Sequence, residues 1–441
     1  MPAGHNVNNG SSQSRLRVLM GRLVVVQPQE LKPLLASFAM LACLFASYTM
    51  LRPVRETMGI DSGVENLPYL FWGTFIAMLA VQPVYGWLTS RFSRTVFLPW
   101  VYLFFTSNIL LFYAWFNLQQ DHVWIARTYY VWVSVFNLFV VAVFWSLMAD
   151  VFTREQAGRM FGFIAAGAST GGLIGPFIAG RLAVPLGTIN LLLISASLLA
   201  LSLVFMGILI RWHREYGTSA RGPAADKPLG GSILAAFRQV ANSPYLIGIA
   251  LFVFLLTWVS TFLYLEQQAL VAKIFTTRDD RTRFFSNIDF WVQALSLFTQ
   301  LFIYGRLFKW FGFRVLIVSV PLLMTAGYAA YALVPTFAVV VAVFVVRRVG
   351  EYSITRPCRD TLYTVVTREE KYKAKSLIDT FIYRGGDATS GSLYKALTSY
   401  FGFSSTAIGW FGAAISAAWL VLAFALGRAQ TQSRRDTASG S

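Results

Sequence analysis

Apolar runs long enough to cross a bilayer, roughly 20 residues each, succeed one another from Pro33 to Gly427, each closed by a short polar break. Read between breakers, they predict helices over 33–55, 67–89, 96–116, 124–149, 158–180, 187–210, 243–265, 284–304, 314–334, 336–358, 376–399 and 406–427. The stretch RWHREYGTSARGPAADKPLGG separates the sixth run from the seventh and is rich in Gly, Pro and charge, the composition of a linker. The pattern therefore predicts an all-α, polytopic membrane protein with twelve transmembrane helices arranged as two pseudo-symmetric six-helix bundles. Its divisions are an N-terminal segment 1–32, a bundle 33–212, a linker 213–242, a bundle 243–428 and a tail 429–441, with Met1–Arg15 read as a disordered tail.

The two halves share short motifs at a nearly constant separation. Gly86-x-Leu88 with Arg91 and Arg94 ends the second run, and Gly305-x-Leu307 with Lys309, Gly312 and Arg314 ends the eighth. Thr153-Arg154-Glu155 returns as Thr367-Arg368-Glu369, and Gly171-Gly172 returns as Gly385-Gly386 at the same spacing. Matched motifs in register imply a duplicated six-helix unit.

Composition agrees and narrows the class. Of 441 residues 56% are hydrophobic and 13% charged, about half the charge of a soluble domain, for which roughly 25% is usual. The net charge of +17 raises nucleic acid as a partner, but its placement argues for orientation instead. Counted with the residues at span ends, 23 Lys and Arg fall on one side of the membrane and 7 on the other, which places both termini in the cytoplasm. Cys43 and Cys358 form no disulfide framework and no metal motif. The basic, polar first thirty residues do not resemble a cleavable signal peptide. There is no Walker, HExxH or GxSxG motif, so no cofactor is expected. His5, His122 and His213 lie outside the runs, which leaves an intramembrane enzyme without histidine at membrane depth.

Charge inside the apolar runs carries the chemistry. The tenth run, VVVAVFVVRRVGEYSITRPCRD, holds Arg347 and Arg348 side by side, then Glu351, Arg356, Arg359 and Asp360. A charge in hydrocarbon costs at least about 2.5 kcal/mol, so such residues face a bundle interior or a wet cavity. The first run holds Arg52, Arg55 and Glu56; Arg52 and Glu56 are one turn apart and can pair, with Arg55 on a neighbouring face. Read blandly, these three are an end-of-helix anchor with snorkelling side chains. Glu351 can reach Arg347 or Arg348, which leaves one arginine to pair with Asp289, Asp379 or Asp387. In the eleventh run Asp379, Arg384, Asp387 and Lys395 accompany Gly385, Gly386 and Gly391. Those glycines either loosen the backbone near a site or let helices pack closely. The fifth run, GFIAAGASTGGLIGPFIAG, has small residues at four-residue spacing and no charge, which predicts close packing. The site expected from these residues has Arg52, Arg55, Arg347, Arg348 and Arg384 converging on one cavity that binds an anion. Glu351, Asp379 and Asp387 are their exchange partners, and Glu56 and Arg359 complete the set expected to contact substrate or gate it.

Twelve runs in two repeats with Gly-x-Leu…Arg/Lys loops resemble the major facilitator superfamily; Ser90 stands where that family usually has Asp, and GRLFKWFGFR is the closer copy. Three further stretches resemble the ATP/ADP-translocase family, the nucleotide carriers of obligate intracellular bacteria and plastids. They are SYTMLRPVRETMG (Ser47–Gly59), TRPCRD (Thr355–Asp360) and YKAKSLIDTFIYRGGDATSG (Tyr372–Gly391), together with VFW (Val143–Trp145). The resemblance implies that Arg55 stands at a functional lysine of the first span, and that Lys373 and Lys375 stand near a second one before the eleventh. The family's functional glutamate of the fourth span has no counterpart in YYVWVSVFN (Tyr129–Asn137).

These readings predict a secondary transporter, not an enzyme, that moves an organic anion across the bacterial inner membrane by alternating access. A nucleotide such as ATP or ADP is one case of that anion, and exchange (antiport) is one mode. Its expected partners are the small anion and the lipid bilayer, with no nucleic acid, and the protein is expected to be a monomer. The alternative is a non-transporting membrane receptor or partner of an envelope system.

Overall fold

A computed structural model describes residues 27, 29–91, 94–119, 122–216 and 233–439. The predicted tail Met1–Arg15 and most of the linker lie outside the described residues, as do 440–441. Every regular element among the described residues is helical. The first half comprises α1 (Leu31–Asp61), α2 (Leu67–Arg91), α3 (Arg94–Leu118), α4 (Val123–Val151), α5 (Arg154–Leu186) and α6 (Leu191–Tyr216). After the short α7 (Ile233–Ala241) come α8 (Pro244–Ile274), α9 (Arg278–Phe298) and α10 (Tyr304–Leu333). They are followed by α11 (Phe337–Gly350), α12 (Arg356–Leu362), α13 (Arg368–Leu377), α14 (Tyr383–Lys395) and α15 (Ser405–Ser439).

Nine helical stretches among the described residues are long and apolar enough to span a bilayer. The difference from the expected twelve has two physical sources. The stretch Arg278–Leu333 counts as one run of 56 residues, which at 1.5 Å per residue would reach about 84 Å, far beyond the ~30 Å of hydrocarbon. It breaks at Gly312, whose φ of 73° only glycine adopts without strain, so the chain turns there. The tenth and eleventh runs are helical but carry too much charge to qualify by hydropathy.

Two apolar clusters hold the halves together separately. One is built from residues between Leu34 and Trp212, including Met50, Tyr129 and Phe136. The other is built from residues between Val240 and Leu426, including Phe252, Tyr328 and Trp419. Large apolar side chains such as Trp100, Leu111, Trp310, Leu333 and Val421 stay exposed around the outside, as lipid-facing surface requires.

Because lipid tails are as apolar as leucine, helix association in the membrane depends on close contact more than on burial. The fifth run shows how. Gly167, Gly171 and Gly175 press on the backbone of α1, and a Cβ at Gly167 would meet the Phe38 carbonyl oxygen at 2.5 Å. The repeated Thr-Arg-Glu motif is also explained: Thr153 and Thr367 each form a capping box, at the N-termini of α5 and α13, with Gln156 and Glu370 as the reciprocal partners.

Candidate functional site

α1, α2 and α4 from the first half meet α8, α11–α12 and α14 from the second around a cavity of about 290 Å³. The α1 face is legible as a helical period: Tyr48, Arg52, Arg55 and Glu56 all line the cavity. On the α11–α12 side the period is altered by a π-helical turn, Glu351–Thr355. One residue is inserted in that turn, so Arg347, Glu351, Tyr352 and Arg356 all reach the cavity. A second π turn, Ile378–Ile382, precedes Tyr383, Arg384 and Asp387, which also line it. Turns of this kind concentrate at functional sites because they re-aim side chains within a continuous helix.

The charges in the cavity are interlocked. Arg55 donates to Glu56 at 3.2 Å and to the Tyr130 carbonyl at 3.2 Å, and its guanidinium lies 3.9 Å from the Tyr130 ring centre. Glu56 also accepts from the Tyr264 hydroxyl at 2.5 Å and from Gln268 at 2.9 Å. Arg347 donates to Glu351 at 2.7 Å and to Ser260. Glu351 accepts from the Tyr383 hydroxyl at 3.4 Å. Arg384 lies 3.7 Å from Asp387, which accepts from Thr261 at 3.3 Å. Arg52 reaches the Tyr352 hydroxyl at 3.5 Å and lies 3.7 Å from Asp289.

The expected pairings are corrected in three places. Glu56 pairs with its neighbour Arg55, not with Arg52 one turn away, because Arg52 is drawn across to Asp289 on α9. Arg348 does not line the large cavity: it is 3% exposed and bound to Asp289, the interhelical acid left open among three. Asp379 pairs with Arg359 at 3.3 Å, and neither lines the cavity. The described side chain of Lys375 binds Asp360 at 2.7 Å, while that of Lys373 lies outside the description. Two of the eleventh-run glycines serve packing: Gly386 abuts Thr257 of α8, and a Cβ at Gly391 would meet Phe71 of α2 at 2.8 Å, whereas one at Gly385 would meet only Phe75, at 3.9 Å.

Several lining residues were left out of the expected site. Arg356 is one, with no carboxylate in ion-pair range among the described residues and the Tyr352 ring 5.5 Å away. Tyr130, Tyr264 and Tyr352 are others, hidden among 19 tyrosines. Asn137 lines the cavity from α4, within the stretch that lacks an acid. In sum, Arg52, Arg55, Arg347, Arg356 and Arg384 face Glu56, Glu351 and Asp387, two positive charges in excess.

A second set of bonds joins the halves at one end of the molecule. Asp61, at the end of α1, accepts from Arg278 at 2.5 Å and from Arg281 at 2.9 Å on α9. Thr57 and Thr282 share a bond of 2.7 Å, Thr188 donates to Thr282 at 3.0 Å, and the Thr188 N–H donates to Asp279 at 2.7 Å.

An all-helical membrane protein with a charged cavity between two bundles has the organisation of a secondary transporter, in which substrate sites lie at the interface of the halves. Residues 75–378 match the Major Facilitator Superfamily, and the chain belongs to that superfamily. The ADP,ATP carrier protein 1 of Chlamydia trachomatis is 21% identical, over 84% of this chain and 82% of the carrier. The ADP,ATP carrier protein 1 of Chlamydia pneumoniae is 22% identical, over 84% and 85%. Among solved structures, an inward-facing bacterial homologue of the iron transporter ferroportin matches with a TM-score of 0.63 at 11% identity, covering 90% of this chain and all (100%) of that one. The nucleoside transporter NupG matches with a TM-score of 0.55 at 15% identity, covering 92% and 99%. The structural likenesses show the fold.

Proposed function

We propose that this transporter moves an organic anion carrying phosphate or carboxylate groups, and that a nucleotide is the first substrate to test. The observation that carries this reading is the surplus of guanidinium in the central cavity. All five cations there are arginines, whose planar fork offers two parallel donors to an oxyanion and stays charged throughout a transport cycle. Tyr48, Tyr130, Tyr352 and Tyr383 supply ring faces beside them, as a heterocycle or sugar would need. The likeness to ADP,ATP carriers supports the nucleotide form, and Asn137, in the stretch without the family's acid, marks where selectivity differs.

In this reading the carboxylates are exchange partners. Glu56, Glu351 and Asp387 neutralise arginines while the site is free and yield them to the substrate's oxyanion, so that an empty site is not left with unopposed buried charge. The residues proposed to contact substrate or gate it are Arg52, Arg55, Glu56, Arg347, Glu351, Arg356, Arg384 and Asp387; Arg348, Arg359 and Asp379 act as supports. The two bundles, 33–212 and 243–428, rock about the cavity, and twelve spans with both termini cytoplasmic place the Asp61–Arg278–Arg281 cluster at the outer mouth. The cell membrane of a bacterium is the proposed location.

A thermal-shift screen of the purified protein against nucleotides, sugar phosphates and dicarboxylates, with uncharged nucleosides as controls, tests the proposal. Saturable stabilisation by an anion and not by its neutral analogue is expected. Equal responses to both would refute the anion reading.

A further inference from the structure

Behind the large cavity, α1, α8, α9 and α11 enclose a second one of about 70 Å³. With about 30 Å³ per water in the liquid, it has room for at least two water-sized bodies and none for a nucleotide. Its wall sets four buried donors without partners against one such acceptor, Gln268 Oε1. Arg348 Nε and Nη2, Arg347 Nε and Gln267 Nε2 have no hydrogen-bond partner among the described residues. Arg348 and Gln267 are 3% and 1% exposed. Buried N–H groups left in this state call for a bound water or ion.

The charge balance decides between the two. Five charged side chains face this space: Arg52, Arg347, Arg348, Glu56 and Asp289. Arg347 is matched by Glu351 at 2.7 Å, and Glu56 by Arg55 at 3.2 Å. That leaves Asp289 as the one carboxylate for two guanidinia, Arg52 at 3.7 Å and Arg348 in direct contact. One positive charge is therefore in excess at this contact, shared with the large cavity that Arg52 also lines, and water cannot neutralise it. Both carboxylates are already engaged, Glu56 by Tyr264 and Gln268 as well as Arg55. Phe285, Ile288 and Phe344 supply the apolar part of the wall, with the Arg347 and Arg348 guanidinia 5.4 and 5.5 Å from the Phe344 ring centre. Donors in excess of acceptors and one surplus charge suit a compact, weakly hydrated anion better than a multivalent oxyanion.

We propose that this second cavity binds a monovalent anion of halide size, held by Arg348, Gln267 and Arg347, as a resident ion separate from the transported substrate. The site stands whatever the large cavity carries, since its volume excludes any organic anion of nucleotide size. The bound anion fixes Arg348 and Arg52 in place across the α1–α9–α11 contact, so it acts on both halves together.

The test uses the purified full-length protein in detergent, titrated with sodium chloride or bromide against sodium gluconate at constant ionic strength. A saturable rise in melting temperature with either halide and none with gluconate is expected. The paired variant Arg348→Gln with Asp289→Asn removes the Arg348 guanidinium donors without changing the net charge of the wall and should abolish the halide response. Gln267→Leu, which removes one donor without touching a charge, should weaken apparent affinity about tenfold. Arg384→Gln, in the large cavity, should leave the response intact. Bromide soaked into crystals should give an anomalous peak between Gln267 and Arg348. Equal melting in chloride and gluconate, a halide response that survives the paired variant, or stabilisation by phosphate but not bromide would each overturn the proposal.

Discussion

The Asp61 cluster offers a direct test of the two-state account, because one carboxylate holds two arginines of the other half. Asp61→Asn keeps the shape and one acceptor oxygen but removes the charge. Hydrogen bonds to charged groups contribute about 1.5–3 kcal/mol each. Arg281, 13% exposed, and Asp61, 11% exposed, retain most of that, whereas the bond to Arg278, 34% exposed, is screened and counts for less. A net loss of about 2 kcal/mol is a fair expectation, equal to about a 30-fold shift toward the state with the outer mouth open. Ser286 is fully buried (0% exposed) just below the cluster. In a background with Cys43 and Cys358 replaced by Ser, a Ser286→Cys variant reports opening through its reaction with a membrane-impermeant thiol reagent added outside. The Asp61→Asn change should raise that rate about 30-fold, and replacing Arg278 and Arg281 by Gln on top of it should add little. A rate unchanged within about threefold, or a fully additive effect of the arginine changes, would show that this cluster does not hold the mouth shut.

Three further outcomes follow from packing, electrostatics and topology. Gly167→Ala forces a Cβ onto the Phe38 carbonyl oxygen, whereas Gly207 has no atom within 4 Å of the same addition; thermal melts should show a loss of about 1–3 kcal/mol for the first and almost none for Gly207→Ala. Burial pushes the Glu30 carboxyl up, but the Gln27 N–H and bonds from Gln156 and Arg159 outweigh it and hold it below the ordinary carboxylate value. Its folded value being depressed, the stabilisation is complete above the unfolded value of about 4.3 and is lost as pH falls through the lower folded value; melts from pH 7 to pH 3 should show Glu30→Gln less stable at neutral pH with a flatter acid limb. Reporter domains fused after residue 229 and after residue 441 should both report the cytoplasm, and a periplasmic signal from either would overturn the orientation.

How much of this was legible in the chain depends on which physical quantity carries it. Apolar run length marked most helices, since a spanning helix must hide its backbone regardless of neighbours. The turn at Gly312 fell inside the break already read between 304 and 314, where basic residues interrupt the apolar run, although no residue pattern there assigned the positive φ to that glycine. On α1 the cavity face followed a plain 3.6-residue period, so Arg52, Arg55 and Glu56 could be named together. On α11–α12 the π turn shifted that period by one, so Arg356 was named in the run but left out of the expected site. Pairing was harder still. Arg52 prefers Asp289 on another helix to Glu56 on its own, and Arg359 and Asp379 find each other beside the cavity; such choices depend on helix rotation and approach, which no single run encodes. The five tyrosines of the lining are ordinary membrane residues until the helices are assembled.

The central claim, that the arginine-rich cavity carries an anion, is tested most directly by counterflow in proteoliposomes. Vesicles loaded with unlabelled ADP and placed in trace labelled ATP, then in labelled sugar phosphates and dicarboxylates in turn, should accumulate one of these anions above equilibrium. That uptake should vanish in Arg347→Ala and fall at least about tenfold in Arg347→Lys, the guanidinium fork being lost with charge retained, while both variants insert in equal amount. Undiminished uptake by Arg347→Ala, or accumulation of the neutral nucleoside alone, would contradict the account.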